Sequence, residues 1–202
     1  MKHHALIAIS VLALAACGGA ETPAPDTPAP DVPVAEATPP PAPAMGDVLT
    51  AEGWGALRIG MTKDEVVAAV GDTKSPDAAG IPGSECVEFQ PQRAPDGLWV
   101  MLEAGKLTRI TVGDMSTVKT DKGLGIGDTP EAVLAAYADA KRSPHKYQDK
   151  PAEYLTWWTT PQSVPYVQDE SARGIVFEID GTGKVGAIHA GGPSIQYVEG
   201  CA

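Results

Sequence analysis

From residue 86 onward, short stretches in which apolar and polar residues alternate recur along the chain and predict β-strands. They cover Cys86–Phe89, Leu98–Glu103, 107–112, 154–159, 174–180, 184–189 and 195–199. Two apolar pairs with four-residue spacing, Val66 with Val70 and Val133 with Tyr137, instead predict short amphipathic helices. Each helix precedes a group of strands, so the pattern indicates helices and antiparallel strands in one chain.

Both predicted helices begin with residues that cap a helix. Thr62 stands three residues before Glu65, which is the spacing of a capping box. Thr129 is followed by Pro130, which has no N–H to lose in the first helical turn. The helix starts are therefore the best-marked positions in the chain.

The two helix segments also match each other, since residues 57–70 align with 124–137 at a constant offset. A later block matches in the same order, 105–110 with 183–188. Two matching blocks in one order predict an internal duplication.

The two repeats would span about 54–113 and about 121–190. We expect an α+β fold in which two tandem helix-plus-antiparallel-strand repeats form one continuous sheet with the helices on one face. A C-terminal strand at 195–199 would follow.

The N-terminus consists of a polar start with Lys2 and an apolar run at 5–16. A helix of this length spans about 18 Å, short of the roughly 30 Å hydrocarbon core, so 1–16 is predicted to be a signal peptide and not a membrane span. The Leu-Ala-Ala-Cys that ends at Cys17 resembles the lipobox of bacterial lipoproteins. The resemblance implies cleavage before Cys17 and its modification with diacylglycerol and an acyl chain such as palmitate. Ordinary secretion, with this cysteine as a bystander, is the alternative.

The segment after the cysteine is rich in proline and carries acidic residues but no basic or aromatic ones. Such a composition cannot bury enough apolar surface to fold. Residues 17–45 are therefore predicted to be a lipidated, disordered tether for a folded domain at 46–202. Gly18 stands where enteric lipoproteins of the inner membrane carry aspartate, so the resemblance implies the outer membrane, with the domain in the periplasm.

Two cysteines remain once Cys17 is lipidated. Cys86 and Cys201 form an even pair, and disulfides persist in an oxidising compartment such as the periplasm. We therefore predict a disulfide bond between them that ties the C-terminus to the body of the domain.

The domain at 46–202 has 22 acidic and 14 basic residues, a formal charge of −8. This charge argues against nucleic acid as a partner, because phosphates require a basic face. A local basic run contains Lys141, Arg142, His145, Lys146 and Lys150. We interpret the run as a solvated helix end and loop, with an anionic partner as the alternative.

The sequence contains no pattern typical of an active site. His145 and His189 are far apart in the chain and lack metal-ligand spacing, and no Gly-x-Ser-x-Gly nucleophile elbow is present. We therefore predict no metal, no cofactor and no enzymatic activity.

Aromatic residues cluster in the predicted strand that begins at Tyr154. Strand alternation places Leu155 and Trp157 on one face, which we assign to the core, and Tyr154 and Trp158 on the other. Exposed aromatic residues are typical of interfaces, whereas cover by the loop after the strand is the alternative for Trp158. The tentative partner-binding residues are Tyr154, Trp158, Arg109 and His189.

The Ile-Gly-Met-Thr-x-x-Glu-Val sequence at 59–66 resembles the SmpA/OmlA lipoproteins of the outer-membrane β-barrel assembly machinery. The tandem repeat resembles the β-lactamase-inhibitory-protein fold, in which two such repeats form one concave sheet. The resemblance covers about 57–188 and implies binding to other envelope proteins. It assigns no functional residue.

These observations predict a non-catalytic cell-envelope lipoprotein, anchored through Cys17, whose domain binds an unidentified envelope protein. The first alternative is a periplasmic inhibitor of a hydrolase such as a β-lactamase or lysozyme. The second is a small cell-wall or carbohydrate-active enzyme.

We expect Cys17→Ser to abolish lipidation and signal cleavage, because only a thiol at this position accepts the diacylglycerol. Metabolic labelling with an alkyne-tagged fatty acid measures the modification, and Cys201→Ser is the control that should keep the label. Equal labelling of Cys17→Ser and the wild type would contradict the lipoprotein prediction.

Overall fold

A computed structural model of the chain describes residues 46–75, 84–113 and 115–201. Cys17, the predicted signal peptide and the tether lie outside these residues, so those predictions stay predictions. Within the described ranges, none of the helices reaches the length and apolarity needed to cross a bilayer.

The described chain is mostly β-structure, with eleven strands and two short α-helices. The strands are β1 (Val48–Thr50), β2 (Gly53–Trp54), β3 (Leu57–Arg58), β4 (Cys86–Phe89), β5 (Leu98–Glu103), β6 (Lys106–Gly113), β7 (Lys119–Thr120), β8 (Lys141–Pro144), β9 (Glu153–Trp158), β10 (Gly174–Ile179) and β11 (Val185–Gly191). The helices are α1 (Lys63–Val70) and α2 (Pro130–Ala136), and a 3-10 helix follows at Pro193–Gln196.

The strands form two sheets. The larger has seven antiparallel strands in the order β4-β5-β6-β11-β10-β9-β8. The smaller has the order β3-β2-β1-β7, in which β1 and β7 run parallel. The predicted α+β fold, with two helix-plus-strand repeats forming one sheet, is therefore wrong. The four strands of the second sheet are only two or three residues long, too short to give an alternating pattern in the sequence.

Two further segments differ from the sequence-based expectation. The basic run predicted to be a helix end and loop begins as strand β8, which pairs with β9 along its length. The strand predicted at 195–199 is not among the strands of the described residues, and the 3-10 helix occupies its first two positions. The N–H groups of Ile195 and Tyr197 donate to the carbonyls of Gly192 and Ser194. These N–H groups are thus used locally and not in a sheet ladder.

One hydrophobic core lies between one face of the large sheet and a layer that contains the small sheet and both helices. Helix α1 contributes the buried Val66 and Val70, and α2 contributes Val133. On β9, Leu155 is fully buried and Trp157 packs against the core, which confirms the predicted facing of these two side chains. Burying a side chain of this size stabilises the fold by roughly 1.5–3 kcal/mol.

The predicted helix starts are confirmed. Thr62 Oγ1 accepts from the Glu65 N–H at 3.4 Å, and the Glu65 carboxylate accepts from the Thr62 N–H at 2.8 Å, which completes a capping box. The Thr62 N–H and hydroxyl both donate to the Glu65 carboxylate, and these two hydrogen bonds lower its pKa. In α2, Thr129 accepts from the Ala132 N–H at 3.2 Å, with Pro130 in the first turn.

The predicted disulfide is present. Cys86 on β4 is bonded to Cys201 across a sequence separation of 115 residues, with Cα atoms 5.4 Å apart. The bond fixes the end of the chain to an edge strand of the large sheet.

We expect Cys201→Ser to lower the free energy of unfolding by about 4–5 kcal/mol, because the chain-entropy account assigns this much to a closed loop of over a hundred residues. Urea unfolding of the purified mature chain measures the change. A reducing agent should lower the wild type to the level of the variant and leave the variant unchanged. Two free thiols in denatured, unreduced wild type would contradict the bond.

Candidate binding groove

The face of the seven-stranded sheet that points away from the core, called the outer face below, carries polar and aromatic side chains. The strand register aligns one residue from each of six neighbouring strands on this face: Trp99, Thr111, His189, Val176, Thr156 and Lys141. Rows on either side of it contain Arg109 with Trp158, and Glu178 with Tyr154. The four tentative partner-binding residues therefore lie on one face of one sheet.

Glu178 is the centre of a polar cluster on the outer face. Its Oε1 lies 3.1 Å from Nε2 of His145, and its Oε2 lies 3.4 Å from Nε2 of His189. On the other side of the His189 ring, Nδ1 is 3.0 Å from the Thr111 hydroxyl. Two histidines that are distant in sequence thus meet at one carboxylate.

The backbone around His145 assigns the position of its proton. Its Nδ1 accepts hydrogen bonds from the N–H groups of Tyr147 and Gln148, both at 3.1 Å. A ring nitrogen that accepts a hydrogen bond carries no proton, so the proton lies on Nε2 and is donated to Glu178. The Tyr154 ring stacks on the imidazole with centroids 4.8 Å apart.

The position of the proton on His189 follows from the charge of Glu178. Burial lowers the pKa of His189, and the hydrogen bond from His189 lowers the pKa of Glu178. An ionised carboxylate only accepts, so His189 donates from Nε2 and its Nδ1 accepts from the Thr111 hydroxyl. Each ring nitrogen of both histidines therefore has a partner within the protein.

The cluster is not arranged as a metal site. Among the residues that the structure describes, no three His, Cys, Asp or Glu side chains are grouped so that they could hold a metal ion. A histidine that binds a metal through Nε2 donates its other N–H to an acceptor. His145 presents the reverse arrangement, because its Nδ1 faces two N–H donors.

The C-terminal segment, defined as residues 192–201, is held on the outer face by Arg109. This side chain is buried, and its Nη2 donates to Glu88 Oε1 at 2.5 Å. Its Nη1 donates to the carbonyl oxygens of Ser194 at 3.3 Å and Tyr197 at 2.9 Å. The guanidinium therefore contacts the C-terminal segment and not solvent.

The covering loop, defined as residues 159–173, is tied to the C-terminal segment by one glutamine. Oε1 of Gln196 accepts from the Val167 N–H at 2.9 Å, and its Nε2 donates to the Val167 carbonyl at 2.9 Å. The amide side chain thus pairs with the loop backbone as a neighbouring strand would. The loop and the C-terminal segment form one connected wall.

A groove of about 410 Å³ runs between this wall and the edge strand β8. Its floor consists of Tyr154, Thr156, Trp158, Glu178 and His189, and Tyr166 and Tyr197 line it from the wall. This volume is within the range of pockets that bind ligands. The groove joins aromatic walls to a polar floor.

Trp158 is half-buried at one end of this groove. A Cβ on Gly174 would lie 2.6 Å from Cε3 of Trp158 and 3.0 Å from Cδ1 of Ile195. Because Gly174 has no side chain, the indole and the C-terminal segment above it have room to pack there. Trp158 points away from the core, as its position on β9 requires, but it is flanked by the wall.

The structure separates the four tentative partner-binding residues. Tyr154, Trp158 and His189 line the groove, whereas Arg109 lies beneath the C-terminal segment. The sequence favours a solvated carboxylate at Glu178, which the structure instead places among the groove residues, on the same face as Tyr154. No local signal pointed to the contact of Glu178 with His145, because pairing of β8 with β9 creates it.

A search of known proteins gave no match for this chain among family models, curated proteins or solved structures. The resemblance to SmpA/OmlA lipoproteins and to the β-lactamase-inhibitory-protein fold stays a prediction.

Proposed function

We propose that the chain is a non-catalytic lipoprotein of the cell envelope, anchored in the outer membrane through Cys17, whose domain binds another envelope protein in the groove. The observation that carries the proposal is the aromatic groove on the outer face, together with the lipobox that ends at Cys17.

The composition of the groove supports binding. Tyr154, Trp158, Tyr166 and Tyr197 all line it, and Tyr166 is 49% exposed. Tyrosine and tryptophan bury a large area with few rotatable bonds, so they are enriched among the residues that dominate protein interfaces. The wall is also fixed in place by Arg109 and the disulfide, which reduces the entropy lost on binding.

The hydrogen bonding of the floor gives the groove a fixed shape. Both oxygens of Glu178 and the ring nitrogens of His145 and His189 already have partners inside the protein. The cluster thus serves to join β6, β10, β11 and the turn after β8.

Site-specific photo-cross-linking in growing cells tests the proposal. We expect p-benzoylphenylalanine in place of Val164 or Tyr166, both on the exposed wall of the groove, to form an adduct with one envelope protein. The same probe in place of Lys63, on the exposed surface of α1, is the control and should give no such adduct.

Adducts from position 63 alone, or from none of the three positions, would contradict binding in the groove. Capture of a hydrolase whose activity the purified chain suppresses would replace the proposal with the inhibitor alternative.

A further inference from the structure

The rim of the groove is basic, although the domain as a whole is acidic. Lys141 on β8 and Lys146 in the turn after it line the groove. Neither ammonium group forms an ion pair or a hydrogen bond with the residues that the structure describes. Two unneutralised positive charges therefore border one aromatic groove in a domain of formal charge −8.

The strand register gives Lys141 and its basic neighbour Arg142 different surroundings. Lys141 is paired with Thr156, whose side chain is on the outer face, whereas Arg142 is paired with the core residue Leu155. The guanidinium of Arg142 forms an ion pair with the carboxylate of Glu153. Arg142 also lines the groove, but its charge is neutralised by Glu153, whereas that of Lys141 is not.

Among the described residues, one carboxylate lines the groove, and it offsets this charge only in part. Glu178 lies on the floor, and its two oxygens are held by the imidazoles of His145 and His189. Its side chain is 30% exposed. A carboxylate that enters the groove would therefore face the two lysines at the rim. The polar groups of the floor already have hydrogen-bond partners within the protein.

The walls also distinguish between classes of anionic ligand. Besides the aromatic rings, aliphatic side chains line the groove at Pro144, Val164, Pro165, Ile195 and Val198. These residues cannot satisfy the ring of hydroxyl groups around a sugar, because a buried polar group without a partner costs free energy. They suit the apolar side chains of a peptide.

We propose that the groove binds an acidic peptide segment, with ligand carboxylates at Lys141 and Lys146 and an apolar or aromatic ligand side chain against Trp158 and Tyr166. The proposal rests on the proposed function, since it assigns the chemistry of the partner segment.

Fluorescence anisotropy with three labelled peptides of equal length, (Glu-Tyr)4, (Gln-Tyr)4 and (Lys-Tyr)4, tests the charge preference of the mature, disulfide-bonded chain. The acidic peptide should bind about tenfold tighter than the glutamine peptide, because each partly exposed charge pair contributes modestly. Its binding should weaken as salt is raised, since exposed charges are screened within about 10 Å at 0.1 M salt.

The variant Lys141→Glu/Lys146→Glu should weaken binding of the acidic peptide by at least about tenfold. The matched control Lys63→Glu/Lys184→Glu changes the net charge equally at exposed positions outside the groove and should bind within about twofold of the wild type. Thermal unfolding of both variants checks that the fold is retained.

Equal affinity for the glutamate and glutamine peptides, or equal weakening in both double variants, would overturn the acidic-peptide proposal. Binding of polygalacturonate by a chain that binds none of the three peptides would also overturn it, and would identify an acidic glycan as the ligand instead. If the cross-link from position 166 persists in Lys141→Glu/Lys146→Glu, the groove remains the binding site and only the charge of its ligand is wrong. Absence of a cross-link from both positions 164 and 166 in the unchanged chain would refute the proposed function itself.

Discussion

The buried guanidinium of Arg109 is the contact on which the outer face depends. It joins the Glu88 carboxylate on β4 to the carbonyls of Ser194 and Tyr197 in the C-terminal segment. Gly200 lies directly on this ion pair, since a Cβ there would come within 2.4 Å of the carboxylate. A buried charge that loses its partners is strongly destabilising. Without this contact, the C-terminal segment would keep only neutral attachments to the sheet, among them the disulfide at Cys201 and the hydrogen bond from the Gly192 N–H to the Thr108 carbonyl.

The features that the sequence allowed us to predict depend on neighbouring residues or on composition. The cap formed by Thr62 and Glu65 follows from a spacing of three residues, and the core facing of Leu155 and Trp157 follows from strand alternation. The bond between Cys86 and its partner near the C-terminus follows from an even cysteine count once Cys17, the predicted lipidation site, is set aside. Each of these inferences needs no knowledge of which strands become neighbours.

The features that could not be predicted depend on pairing between distant segments. The smaller sheet uses strands of two or three residues, and β8 carries charged residues that resemble a solvated loop. Alternation places Arg109 on the outer face but does not reveal that the C-terminal segment covers it there. The contacts of Glu178 with His145 and His189 require β8, β9, β10 and β11 to be in register.

The proposed binding in the groove can be tested directly, because the four tryptophans of the domain lie in four different environments. Trp158 lines the groove, Trp157 packs against the core, Trp99 is exposed on the same sheet, and the Trp54 indole donates to a backbone carbonyl at 3.2 Å. Two-dimensional NMR of the four indole N–H resonances during titration with (Glu-Tyr)4 reports on each separately. We predict that the Trp158 resonance shifts progressively while those of Trp54 and Trp99 stay in place. A shift of Trp99 with no change at Trp158 would contradict the groove as the binding site.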